Sequence, residues 1–285
     1  MSELRALVAE ELSMPVDARV SALAAAIASR HGSASRAVLF YGSCLREKKF
    51  EGLMLDFYLI VSSYREAYDR KWLAAANRLI PPNVFYFEKD GIAAKYAVLS
   101  EGDFYRLNGP ETRSVSVWAR FAQPSRLVWA ANERARERAI EAVSRAAPTL
   151  LEAAGARAGE KPLDWWRRAF TLTFSAELRA ERKGRGASFV DRDRQRFIRF
   201  TKPAAAAIDR HSKASWRRRR IEGKLLSVAR LAKASATFAG GADYIAWKIN
   251  RHAGTSIRLK PWQQRHPLLA AISLLPRLIR SGAVR

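Results

Sequence analysis

Gly42 and Ser43 close a short apolar stretch, Val38-Leu39-Phe40-Tyr41, and Asp56 stands 13 residues beyond Ser43 inside a second apolar run from Leu53 to Val61. Glycine has no side chain to keep a phosphate away from the backbone N–H groups of such a turn, and the Ser43 hydroxyl is a further donor. A carboxylate on the adjacent strand can hold the Mg2+ that neutralises a triphosphate. Tyr41, Gly42, Ser43 and Asp56 are therefore an arrangement that a site transferring a nucleotidyl group would need. The competing reading is a hairpin turn beside a buried, hydrogen-bonded aspartate. Sites of this kind often place a second carboxylate two residues on, on the same face of the strand. That position is Tyr58, so a second metal ligand has to come from Glu177, Asp103 or Glu51. Lys95, at the start of another apolar stretch, can bring an ammonium to a phosphate. Arg120 and Arg126 flank Pro124, and a guanidinium suits bidentate phosphate binding. His31, His211, His252 and His266 have no metal-binding spacing and read as surface or cap residues.

These residues need a sheet to hold them. Apolar periodicity predicts helix from Leu4 to His31 with a break near Met14-Pro15, then strands at Ala37–Tyr41 and Leu53–Val61. Tyr64 to Leu79 reads as helix, ended by Pro81-Pro82. Asn83–Glu88 and Ile92–Leu99 read as a hairpin turning at Lys89-Asp90-Gly91, and helix resumes from Ser114 to Phe121. From Glu133 the pattern becomes Ala-, Glu- and Arg-rich, with long helical stretches at 133–154, 165–182 and 223–238 and almost no strand signal. The expected fold is α+β: a nucleotidyltransferase-like mixed sheet with flanking helices over 1–128, then an all-helical, basic domain over 129–285.

Charge separates the halves. The chain of 285 residues carries a formal net charge of +24. From Trp129 onward 34 basic residues face 13 acidic ones, against 17 and 14 before it; from Thr201 onward the balance is 18 to 3. Such a half calls for a polyanion, either an anionic lipid surface or nucleic acid. A single cysteine, Cys44, excludes an intrachain disulfide. The first residues lack the layout of a signal or transit peptide, and no apolar run approaches the roughly 20 residues of a spanning helix.

Taken in order, the motifs resemble those of the mitochondrial-type phosphatidate cytidylyltransferases, the CDP-diacylglycerol synthases of the translocator assembly and maintenance family. Tyr41-Gly42-Ser43 resembles the family's Tyr-Gly-Ser-Gly turn, and Met54-Leu55-Asp56-Phe57 its nucleotidyltransferase strand. Val84-Phe85-Tyr86-Phe87 is similar to its aromatic strand, and Lys95-Tyr96-Ala97-Val98 to its Lys-Tyr-Gly-Val. Ala119-Arg120-Phe121-Ala122-Gln123-Pro124 resembles Gly-Arg-Leu-Gln-Lys-Pro. Thr173-Phe174-Ser175-Ala176-Glu177-Leu178-Arg179 resembles Ser-Tyr-x-Gly-Asp-x-Arg, and Phe200-Thr201-Lys202-Pro203 resembles Val-Lys-Pro. Three departures stand out. Cys44 replaces the second glycine of the turn, Gln123 replaces a lysine, and the segment between Tyr64 and Phe85 is shorter.

The resemblance implies a bacterial branch of the family that joins CTP to phosphatidic acid with Mg2+, releasing pyrophosphate. It implies catalytic roles for Ser43, Asp56 and Lys95. Tyr41, Gly42, Ser43, Arg120, Gln123, Arg179 and Lys202 would then contact the nucleotide, and Asp56 and Glu177 the metal. A phosphate monoester is already largely ionised at neutral pH, so no catalytic histidine is required. The expected location is the inner face of the cell membrane, reached from the cytoplasm. Trp216, Arg217 and Arg218 would supply part of the contact. A C-terminal helical face with Leu268, Leu269, Ile272 and Leu275, flanked by Arg277, would supply the rest. The rivals are transfer to another acceptor, such as RNA or a small molecule, and a non-catalytic relative that binds lipid or RNA.

Overall fold

The computed structural model describes residues 2–46, 50, 52–177, 185–209 and 215–237. Two helices open the chain, α1 (Glu3–Leu12) and α2 (Ala18–Ser29), each capped by a side chain, Ser2 and Asp17, that accepts from the first turn. They are separated at Met14-Pro15 as the sequence predicts. The strands are β1 (Ser35–Tyr41), β2 (Met54–Val61), β3 (Asn83–Lys89), β4 (Ile92–Ser100) and β5 (Ser125–Ala130). They form a five-stranded sheet in the order β3-β4-β2-β1-β5. β2 and β4 pair parallel; the other pairs are antiparallel. The architecture is α+β, a mixed sheet with flanking helices.

Two helices occupy the crossover from β2 to the β3–β4 hairpin, α3 (Tyr64–Ala67) and α4 (Lys71–Leu79). The single helix expected there is broken at Tyr68, which takes an extended backbone. The break lets the buried Tyr68 ring meet His31 and Phe85 edge-on and tilted, at 5.9 Å in each case. His31 is likewise not a surface residue. Its ring is half-buried, 2.9 Å from Ala67 O and 3.2 Å from Tyr96 Oη, and burial lowers its basicity. The hairpin turns where expected, with Asp90 and Gly91 both at positive φ.

After β4 come α5 (Glu101–Asn108) and α6 (Trp118–Phe121), then β5 at the sheet edge beside β1. α5 and β5 were not expected, and a division at 128/129 falls inside β5. The helices that follow are α7 (Glu133–Ser144), α8 (Ala146–Ala154), α9 (Pro162–Ala176), α10 (Arg185–Arg192), α11 (Arg194–Ala206) and α12 (Trp216–Thr237).

The period-2 alternation of the strands feeds two apolar clusters. On one face Val38, Phe40, Leu55, Phe57, Leu59 and Tyr96 pack with α2. On the other, Leu39, Tyr58, Ile60, Ala97 and Leu99 join Leu7, Trp118, Trp166, Phe170 and Phe197 in one cluster running from α1 to α11. The candidate site lies at one end of this second face.

Candidate functional site

Strand register builds the site. Tyr41 on β1 pairs with Asp56 on β2, and Asp56 with Lys95 on β4; Ser125 of β5 and Tyr86 of β3 extend the row to both edges. Lys95 Nζ stands 2.9 Å from Asp56 Oδ1. That oxygen is buried, and among the described residues the Lys95 ammonium is its partner.

The chain leaves β1 through Gly42, whose φ of +93° lies in the left-handed region that side chains disfavour. A Cβ there would stand 3.2 Å from Asp56 Oδ2. Glycine is thus required twice, for the backbone turn and to keep the space beside the carboxylate open. Ser43 is exposed and begins a short 3-10 turn that runs to Arg46. Cys44 points inward, its Sγ 3.7 Å from Met54 O. It takes over the turn without blocking the open side.

Above this row, α6 supplies Arg120. Its guanidinium donates to the carbonyl of Ser116 and lies 3.9 Å from Glu177 Oε1. Burial alone would lower the basicity of Arg120, but Tyr58, Glu177, Tyr41 and Asp56 surround it and raise it instead. The same enclosure raises Tyr41, through burial first and the Asp56 charge next, and raises Tyr58 through burial. Both phenols therefore stay neutral. The rings of Tyr41, Tyr58 and Phe121 pack at 5.1–6.0 Å, a rigid floor for the polar row.

The remaining sequence candidates are placed as follows. Gln123 turns its amide back to Ala119 O at 2.7 Å. Glu177 is buried just past α9 and faces Arg120. Asp103 is held elsewhere, by Tyr64 Oη at 2.6 Å and Arg106 at 2.7 Å. Arg126 donates to Ser125 O. Lys202 is exposed on α11, a helix packed mainly on α1, α8 and α9. Trp216 lies against the main cluster and donates its indole N–H to Ala153 O at 2.8 Å, whereas Arg217 and Arg218 are exposed. Glu51, Arg179, Leu268, Leu269, Ile272, Leu275 and Arg277 lie outside the described residues.

Sequence reasoning read a helix over 223–238 but not its start at Trp216 or its place over the site. α12 packs on α9 and β3, and a Cβ at Gly223 would run into the carbonyl of Ala176. That close approach carries Arg230 to Ser114, Ser116 and Pro81, and Lys233 to Ile80 and Pro82. A signal was present. A glycine in a helix interior costs about 1 kcal/mol relative to alanine, and Gly223 sits in a helical stretch with Arg230 and Lys233 one turn apart.

Among the described residues no group of three or more His, Cys, Asp and Glu side chains is arranged to hold a metal. What is present is one carboxylate, paired with Lys95 through Oδ1, whose Oδ2 lies beside an open glycine turn. That donor set suits Mg2+, which is commonly held by one or two carboxylates while substrate phosphates and water fill its other positions.

The chain matches no protein-family model and has no significant match among curated proteins.

Proposed function

We propose that this protein is a nucleotidyltransferase that joins CTP to phosphatidic acid. The observation that carries the reading is Asp56, set between Gly42 and Lys95 at the end of one sheet face, with its Oδ2 on the side that the missing Gly42 side chain leaves open. In the proposed reaction a phosphate oxygen of the lipid attacks the α-phosphorus of CTP. The bond from that phosphorus to the bridging oxygen breaks, and pyrophosphate leaves with the bonding electrons.

The chain contributes position and charge. The Gly42-Ser43 turn offers backbone and hydroxyl donors to the triphosphate. Lys95 and Arg120 place positive charge beside it. Asp56 would hold Mg2+ together with the triphosphate oxygens, and the metal's part is to neutralise phosphate charge. Glu177 already faces Arg120, so the reading relies on Asp56 as the protein ligand.

The membrane half of the proposal draws on α12. Ile221 and Leu225 are exposed, one turn apart, with exposed Arg217, Arg218, Arg220 and Lys224 around them. Apolar side chains ringed by cations suit an anionic bilayer surface. No described helix is long and apolar enough to cross a membrane, so the proposed attachment is peripheral.

The test is a transfer assay with purified protein, Mg2+, liposomes containing phosphatidic acid, and each labelled nucleoside triphosphate in turn. CTP alone should yield a labelled lipid. Asp56→Ala should lose several kcal/mol of transition-state stabilisation while keeping its circular dichroism spectrum. Near-normal turnover in that variant would overturn the assignment. The same cationic face also fits an RNA backbone. Failure to sediment with any liposome, together with salt-sensitive RNA binding, would favour that acceptor instead.

A further inference from the structure

Two cations lie where α12 meets the start of β3. Arg230 donates from Nε to Pro81 O at 2.9 Å, from Nη1 to Ser116 Oγ at 2.9 Å and from Nη2 to Ser114 Oγ at 3.4 Å. Lys233 Nζ donates to Ile80 O and, at 2.8 Å, to Pro82 O. All five acceptors are neutral. Among the described residues, neither cation has a carboxylate within ion-pairing distance.

The charged and titratable groups facing Arg230 are Glu177, Tyr58 and Arg120, and Arg230 itself faces Lys233. Tyr58 is neutral and Glu177 faces Arg120. Among the described residues, the carboxylate that faces Arg230 is therefore one already beside Arg120. Positive charge withdrawn from water without a matching anion is costly. Neutral carbonyls and hydroxyls offset that only in part, and both side chains have more N–H donors than these acceptors use.

We infer that Arg230 and Lys233 form a subsite for a phosphate dianion, with the Ser114 and Ser116 hydroxyls fixing the Arg230 fork. This rests on the proposed function and deepens it. The phosphate belongs either to the pyrophosphate end of the nucleotide or to the monoester of the acceptor. Guanidinium and ammonium side by side suit such a group, the first by its fork and the second as a point charge. A consequence follows for protons. Burial first, and the neighbouring Arg230 next, push the Lys233 ammonium down to about 7. A dianion beside it favours the charged form, so binding at mildly alkaline pH takes up a proton.

The experiment is isothermal titration calorimetry on the full chain at pH 7.5, in two buffers of different ionisation enthalpy. The probes are CTP, pyrophosphate and dihexanoyl phosphatidic acid. We expect uptake of roughly half a proton or more with at least one probe. Lys233→Met should abolish that uptake and weaken the same probe about tenfold, and Arg230→Gln should weaken it at least as much. Uptake with CTP or pyrophosphate places the leaving group at the subsite; uptake with the short-chain lipid places the acceptor there. The proton count of the unaltered protein decides the matter if a variant does not fold. CTP binding and transfer with no uptake, unchanged in both folded variants, would overturn the subsite and leave the nucleotidyltransferase reading standing. Pyrophosphate or lipid binding with uptake, and no CTP binding, would keep the subsite and remove that reading.

Discussion

Asp56 is placed by register and exposed to chemistry by a missing side chain. Replacing Gly42 tests both at once. Gly42→Val forces a branched residue into positive φ, at a cost of about 1–2 kcal/mol, and drives a side chain against Asp56 Oδ2. CTP affinity measured by calorimetry should be lost while the thermal midpoint falls by only a few degrees; unchanged affinity would mean the turn is structural. Lys95→Met makes the complementary test. It strands a buried Asp56 oxygen that has no other partner, which costs about 1–3 kcal/mol, and it removes a cation from the row. Transfer should fall to background with the fold retained, as read by turnover and denaturant unfolding. The turn, Asp56 and Lys95 were legible in the sequence as strand-end residues of types that the proposed chemistry would use. Their mutual distance was not, since it depends on the parallel pairing of β2 with β4, which no local pattern encodes. Glu177 was legible only as a motif member. That it faces Arg120 depends on how the end of α9 packs beside α6.

At the scale of the element, α12 decides the most. Its outer face predicts lipid binding. Ile221→Glu with Leu225→Glu replaces two side chains that are 55% and 65% exposed, so stability should change by no more than about 0.5 kcal/mol. Co-sedimentation with anionic liposomes should fall sharply. In the unaltered protein, binding should weaken with added salt, because exposed charges are screened over about 10 Å at 0.1 M. Full binding by the double variant would move the lipid contact elsewhere. Its inner face depends on Gly223, the position where α12 touches the end of α9. The helix itself was readable over 223–238 from the Ala-, Glu- and Arg-rich pattern of the second half. Its destination was not, because a basic surface helix and a basic helix laid over a sheet end have the same periodicity. The strand β5 was missed for a related reason. Ser125-Arg126-Leu127-Val128-Trp129-Ala130 is short and follows a proline, and its pairing with β1 is a long-range choice.

For the whole molecule, the two halves divide by charge but not by core. One apolar cluster runs from Leu4 on α1 through the sheet to Phe197 and Ala204 on α11. Across it, Arg196 holds Glu11 with contacts of 2.5 and 3.0 Å and donates to Ala122 O at 2.9 Å, both side chains being largely buried. Glu11→Ala leaves that guanidinium without its counter-charge and should cost about 3–5 kcal/mol, visible as a lowered urea midpoint with cooperative unfolding retained. Lys233 predicts a pH dependence. Its basicity in the folded chain, about 7, lies below the usual lysine range. Below pH 7 folded and unfolded forms are both protonated and the cost of burial is complete. Between pH 7 and about 9.5 the unfolded chain binds more protons, so stability rises with pH; above that, buried phenols such as Tyr96, pushed up to about 12, act in the opposite sense. Lys233→Met should flatten the rise, measured by urea unfolding at steps across the window. The bonds from Arg230 and Lys233 back to Pro81 and Ile80 span 149 and 153 residues of chain. During synthesis, therefore, Gly42, Asp56 and Lys95 emerge from the ribosome long before their roof does. A nascent chain carries that end of the sheet uncovered until α12 has cleared the exit tunnel.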